Sequence, residues 1–252
     1  MPWNPEQYHI FQAERTAPFE DLLKLVSIRS GLKVVDLGCG TGELTDRLSD
    51  ILLESDILGI DKSPQMLEKA HSYKKPGLQF EMGDQAQLEG MWDLIFSNAA
   101  LQWSENHPEL ISHLYTRLAP AGQIAIQVPS NHTHISHQLI IETAQEEPFK
   151  TMINGFTRVS PVLKIDDYAQ LLFSLAAEKI VVFEKVYAHV LENSDAVVEW
   201  VSGTALVPYF ERLGSQKELF LSALRKKYLT NMPGSPIFYP FKRTFISAHK
   251  PG

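Results

Sequence analysis

Hydrophobic and polar positions change period repeatedly along the first half of this chain. EDLLKLVSI (20–28) spaces leucine and valine at helical intervals, KVVDL (33–37) is a short β-rich run, and ELTDRLSDILL (43–53) returns to helical spacing. The alternation continues through DILGID (56–61), a helix opened by Ser63 and Pro64 in SPQMLEKAHSY, LQFEMGD (78–84), WDLIFSN (92–98), a helix near HPELISHLYTRL, and QIAIQVP (123–129). Five strands separated by helical or loop-sized segments predict an α/β fold, a parallel sheet with helices on both faces.

After Pro129 the rhythm changes. THISHQLIIETAQEE, DDYAQLLFSLAAE, SDAVVEWVSG and SQKELFLSALRKKYL have helical spacing, whereas KIVVFEKVYAHV (179–190) alternates as a half-buried strand and FKRTFISAHK (241–250) forms a last one. The two late strands are expected to pair as an antiparallel edge of the sheet, with the intervening helices as a cap. NMPGSPIFYP (231–240), with three prolines and one glycine, reads as ordered connection.

Composition narrows the chemistry. With 23 basic and 30 acidic residues among 252, the net charge is −7, and no run of lysine or arginine would track a phosphate backbone, so nucleic acid is not an expected partner. Cys39 is the single cysteine, which excludes an intramolecular disulfide and a thiolate metal cage and fits the cytoplasm. The N-terminal stretch MPWNPEQYHI lacks a basic region followed by an apolar core, and no apolar run approaches the roughly 20 residues of a membrane span. A soluble protein is expected, and the sequence leaves its oligomeric state open.

The chemistry concentrates in VVDLGCGTGELTDRL (34–48). Gly38, Gly40 and Gly42 follow the first strand, where backbone N–H groups and the positive end of the next helix can approach a ligand. The spacing is neither the G-x-G-x-x-G of a dinucleotide turn nor a P-loop, which argues against a pyrophosphate or triphosphate. Asp61 ends the second strand, where an acid can accept from two ribose hydroxyls, and Asp84 follows the third, beside Gln85. All these groups fall at the carboxyl edge of the sheet, and together they suit an adenosyl group.

VVDLGCGTG, then GIDKSPQML, MGDQ and DLIFSNAALQW, in that order, resemble the motif series of the Rossmann-like S-adenosylmethionine-dependent methyltransferases. The resemblance implies a mostly parallel seven-stranded sheet and S-adenosylmethionine as cosubstrate. It implies that Gly38, Gly40 and Gly42 border the methionine part, Asp61 with Lys62 the ribose, Asp84 with Gln85 the adenine, and Asn98, Gln102 and Trp103 the wall near the sulfonium, with Asp36 and Cys39 also among the cofactor-binding residues. It also implies three parts: an N-terminal helical segment (1–30) closing the cofactor site, a cofactor-binding core (31–130), and a helical cap with the last two strands (131–252).

WNPEQYHIFQAER (3–15), FSNAALQW (96–103), EWVSGTALVPYF (199–210) and FYPFKRTFISAHK (238–250) resemble the trans-aconitate 2-methyltransferases over nearly the whole chain, and the first three also resemble, in softened form, the malonyl carrier-protein methyl ester synthases. Both families methylate a free carboxylate. Such an acceptor, with a pKa of about 4, is already ionised at neutral pH and needs no general base. What it needs is cations and hydroxyls that hold it in line. The substrate-positioning candidates are Arg15, Arg158 and Arg243 with Tyr8 and Tyr239; Arg15 pairing with Glu14 or Glu20, and Arg243 as an ordinary edge-strand charge, are the plain structural alternatives. One departure stands out: the family commonly carries arginine immediately before the proline of GTALVPYF, where this chain has Val207.

His132, His134 and His137 are not spaced as a helical zinc pair, so no metal is expected; Thr133 or Asn131 is the expected helix cap, with the histidines exposed. Other methyl acceptors, and a non-catalytic cofactor sensor, are the competing readings. Asn98 is followed by Ala99 and Ala100 and not by the N-P-P-[YF] of nucleic-acid amine methylation.

Overall fold

The computed structural model describes residues 12–252, with side chains from Thr16 onward. Among the described residues seven strands form one sheet: β1 (Lys33–Leu37), β2 (Asp56–Asp61), β3 (Leu78–Met82), β4 (Trp92–Asn98), β5 (Leu118–Pro129), β6 (Glu178–Leu191) and β7 (Ile237–His249), in the order β3-β2-β1-β4-β5-β7-β6. β1 pairs in parallel with β2 and β4, β2 with β3, and β4 with β5, whereas β7 runs antiparallel to β5. The helices are α1 (Gln12–Leu23), α2 (Glu43–Ile51), α3 (Pro64–Ala70), α4 (His107–Thr116), α5 (Ile135–Gln145), α6 (Phe149–Met152), α7 (Ile165–Ser174), α8 (Ser194–Ser202), α9 (Val207–Leu213) and α10 (Lys217–Asn231).

The described chain forms two compact units. One comprises residues 12–129, 161–185 and 243–252; the other comprises residues 130–160 and 186–242. In the first, Val35, Leu37, Ile95, Ile124, Ile126 and Ile246 bury one sheet face against Leu110, Ile111 and Leu114 of α4 and Tyr168 and Leu172 of α7. α1 covers the opposite face, where Phe19 meets Phe96 edge-on with ring centroids 5.7 Å apart. In the second unit α5, α8 and α10 pack around Leu139, Val197, Val201, Phe220 and Leu224.

Several elements differ from the periodicity reading, most of them by one or two residues. The first helix does not run over 20–28 but ends at Leu23, because the Gln123 side chain captures the following backbone: Ser27 N donates to Gln123 Oε1 (2.8 Å) and Gln123 Nε2 to Leu25 O (2.6 Å). β5 begins at Leu118, five residues early, with an irregular register against Trp92 before regular pairing resumes at Leu94 and Gln123. β7 begins at Ile237, inside the proline-rich connection; pairing with β5 starts at Arg243, so Pro240 withholds no N–H from that ladder. The helix VPYFERL was not anticipated, and Pro208 in its first turn fits a helix start.

Candidate active site

Asp36 is 4% exposed at the end of β1, and Thr45 Oγ1 donates to its Oδ2 at 2.6 Å. Burial pushes this carboxyl up to about 7, against the Thr45 hydrogen bond and with the help of the Asp61 charge. Gly38 has φ +74°, and a Cβ there would stand 2.2 Å from the Ala100 Cβ, so only glycine lets the loop lie against the segment after β4. Gly42 is similarly constrained, with φ +81° and a would-be Cβ 2.9 Å from Ala70 Cα. Cys39 lies buried between them; burial, then the charges of Asp36 and Asp61, push its thiol far up, so it is no nucleophile.

The second and third strand ends are tied to the loop. Asp61 Oδ2 accepts from Gly40 N (3.0 Å) and its Oδ1 from Ser63 N (2.8 Å), which couples the glycine turn to the start of α3. Lys62 Nζ lies 2.9 Å from Asp84 Oδ2, and Asp84 Oδ1 accepts from Ala86 N. Burial alone would raise the Asp84 carboxyl, but the Ala86 N–H and Lys62 outweigh it and hold it below its ordinary value. Gln85 is buried, and its Nε2 donates to Ser104 Oγ (2.5 Å) and points at Ala100 O (3.5 Å), holding the turn after β4. In that turn Gln102 Nε2 donates to Ala99 O (2.7 Å), and Trp103 is 39% exposed. Asn98 closes β4, and its Oδ1 is buried with no hydrogen-bond partner.

Arg243 is only 6% exposed and sits within β7, between β5 and β6. It is therefore neither before the last strand nor an edge-strand charge. Its Nη1 donates to Gln127 Oε1 at 3.1 Å. Gln127 pairs in register with Asn98, so strand alternation puts Asn98, Gln127 and Arg243 on the sheet face that α1 covers. Arg15 lies in the first turn of α1, its side chain outside the described residues, as is all of Tyr8.

Arg158 and Tyr239 belong to the other unit. Arg158 is half-buried, its N donates to Tyr209 Oη (3.0 Å), and burial lowers its guanidinium pKa. Tyr239 is fully buried, its Oη 2.9 Å from Ser136 Oγ and its ring edge-on to His134; burial pushes its hydroxyl up to about 12. The N-cap of α5 is His134, not Thr133 or Asn131: its Nδ1 accepts from Ser136 N (3.2 Å). The three histidines are half-buried, not exposed, and burial with the neighbouring His134, His132 and Arg158 drives His137 down to about 4. Among the described residues, no three His, Cys, Asp or Glu are arranged to hold a metal ion, and no helix is long and apolar enough to cross a membrane.

A methyltransferase-domain family profile matches residues 28–193. The chain is 45% identical to a trans-aconitate 2-methyltransferase of Deinococcus radiodurans, covering 100% of this chain and 99% of that one. The chain belongs to the trans-aconitate 2-methyltransferase family. Another member, from Variovorax paradoxus, is 35% identical with 99% of both chains covered. In fold, this methyltransferase resembles phosphoethanolamine N-methyltransferase 2 of Haemonchus contortus in complex with S-adenosylmethionine (TM-score 0.56, 20% identity, 96% of this chain and 53% of that one). It also resembles a methyltransferase of Mesorhizobium loti (TM-score 0.51, 19% identity, 93% and 98%).

S-Adenosylmethionine is the cosubstrate of this methyltransferase. The carboxyl edge of β1, β2, β3 and β4 fits it: a glycine turn too tight for a Cβ, acids at the ends of β1, β2 and β3 and a buried acceptor at Asn98 suit a cation rich in hydroxyl and amino groups. Sequence reasoning missed Thr45 and Gln127. Gln127 had a signal, an amide inside the apolar run IAIQV, while Thr45 looked like any helix residue.

Proposed function

We propose that this methyltransferase esterifies a carboxylate of a small polycarboxylic acid of the trans-aconitate type. The observation that carries the reading is 45% identity to a trans-aconitate 2-methyltransferase without a gap in coverage at either end, so that the acceptor-shaping parts are compared along with the cofactor core.

When bound, S-adenosylmethionine supplies an electrophilic methyl group. The residues proposed to hold it are Gly38, Gly40 and Gly42 by backbone, Asp61 for the ribose and Asp84 for the adenine, with Asp36, Asn98 and Trp103 along the methionine side. Lys62 keeps Asp84 ionised, while Cys39, Gln85 and Gln102 set the shape of the turns. An ionised acceptor needs positioning and exclusion of water, and no proton need be removed. Burial and neighbouring positive groups drive His137 down to about 4, which makes it a weak proton acceptor and agrees with a site that works without a histidine base. Buried Arg243 is the best-placed cation in the unit that carries the cofactor edge, and a guanidinium offers a carboxylate a planar pair of donors. Tyr8, Arg15, Arg158 and Tyr239 remain proposed positioning groups.

Val207 favours a second reading, an acceptor with fewer charges or a longer apolar part, such as a malonyl carrier-protein conjugate. The net charge of −7 speaks against a nucleic-acid partner, and the lone Cys39 favours the cytoplasm. A screen of dicarboxylic and tricarboxylic acids and malonyl conjugates with methyl-labelled cosubstrate separates the readings: alkali-labile label on an acid supports carboxyl methylation, and alkali-stable product or none refutes it.

A further inference from the structure

Gln127 is fully buried, and its amide is oriented by its neighbour. A guanidinium only donates, so the 3.1 Å contact with Arg243 Nη1 fixes Oε1 on that side and turns Nε2 away. Nε2 then has no hydrogen-bond partner, although it is out of reach of solvent. An unsatisfied buried donor is costly, so a partner for it is expected. Asn98, its register partner on β4, carries the complementary defect, a buried Oδ1 with nothing to accept from. The Gln127 donor marks a place where an acceptor on a ligand completes the bonding, whereas the Asn98 Oδ1 calls for a donor, which a carboxylate does not supply.

The position defines that ligand. Asp36 pairs with Phe96, so the glycine turn begins level with Asn98, and Gln127 lies two strands from β1, about 10 Å away. That is the distance at which an acceptor beside the cofactor edge would present its far groups. A buried guanidinium with an amide N–H beside it selects a planar anion, and a carboxylate matches.

We propose that Gln127 is a specificity-determining positioning residue: its Oε1 aims the Arg243 guanidinium and its Nε2 donates to the same non-reacting carboxylate of the acceptor. The inference rests on the carboxylate-acceptor reading above. It explains why an amide, and not an apolar residue, occupies a buried position near the carboxyl end of β5.

Two variants test it, with propane-1,2,3-tricarboxylate as binding probe in the presence of S-adenosylhomocysteine and trans-aconitate as acceptor. Gln127→Glu keeps an acceptor for Arg243 but neutralises it and removes the donor. It should weaken tricarboxylate binding and raise the acceptor KM by about 100-fold, with cosubstrate Kd within about twofold. Gln127→Leu should raise KM by about tenfold with the same split, and it should be non-additive with Arg243→Lys. A merely structural amide predicts that Gln127→Glu, which strengthens the pair with Arg243, leaves acceptor binding intact; that result overturns the proposal, as does an equal loss of cosubstrate affinity. Wild-type protein that esterifies no acid refutes the acceptor reading and the inference with it, whereas wild type that esterifies trans-aconitate with Gln127→Glu unchanged refutes the inference alone.

Discussion

The Thr45 hydroxyl donates 2.6 Å to the carboxyl of Asp36, one βα turn away, and that bond spans the glycine loop of the cofactor edge. Because burial raises the Asp36 pKa to about 7 from an unfolded value near 3.9, the folded protein holds a proton between pH 4 and 7 that the unfolded chain has released. Stability from this group therefore falls as pH rises from about 4 to about 7 and is level above that. Thermal unfolding across this range should show a smaller loss in Asp36→Asn than in wild type. A cationic cosubstrate favours the ionised form, so its affinity for wild type should rise through pH 7 and the Asn variant should lose that dependence, as calorimetric titration would show.

Gly38 is the tightest point of the loop, with a hypothetical Cβ 2.2 Å from Ala100 Cβ at positive φ. Gly38→Ala should lower the melting temperature by several degrees, a cost of about 1–3 kcal/mol, and weaken cosubstrate binding by at least about tenfold. A variant that binds cosubstrate like wild type would show that the loop does not approach it.

The Lys62–Asp84 pair separates surface electrostatics from recognition. Lys62 is 62% exposed, so Lys62→Ala should change stability by no more than about 1 kcal/mol. If Asp84 meets the adenine, Asp84→Asn should weaken cosubstrate binding by about tenfold with little change in acceptor KM, a split read by steady-state kinetics.

Val207 opens α9 half-buried, at a position where the family resemblance implies an arginine. Val207→Arg should lower KM for trans-aconitate severalfold if loss of that cation relaxed the acceptor site. Unchanged or poorer kcat/KM would remove Val207 from the specificity argument.

The cofactor half was legible because its signals are local. β1, β2 and β4 begin and end where period and composition put them, and the glycine turn, Asp61 and Asp84 lie at the expected strand ends. What periodicity missed was set by tertiary partners. Gln123 truncates α1 from about 100 residues away, and β5 absorbs an irregular pairing that no local signal announces. Arg243 reads as an edge charge in sequence because nothing local reveals that β7 is inserted between β5 and β6. The histidines read as exposed because their burial, which with neighbouring positive groups drives His137 down to about 4, has no signal in the residue pattern.

The carboxylate-acceptor reading is met most directly by mass spectrometry of purified protein incubated with S-adenosylmethionine and trans-aconitate. The expected result is a trans-aconitate monomethyl ester, hydrolysed by mild alkali, formed in step with S-adenosylhomocysteine. Cosubstrate bound tightly and left unconsumed with trans-aconitate, while an amine, a phenol or a malonyl conjugate is methylated, would contradict it.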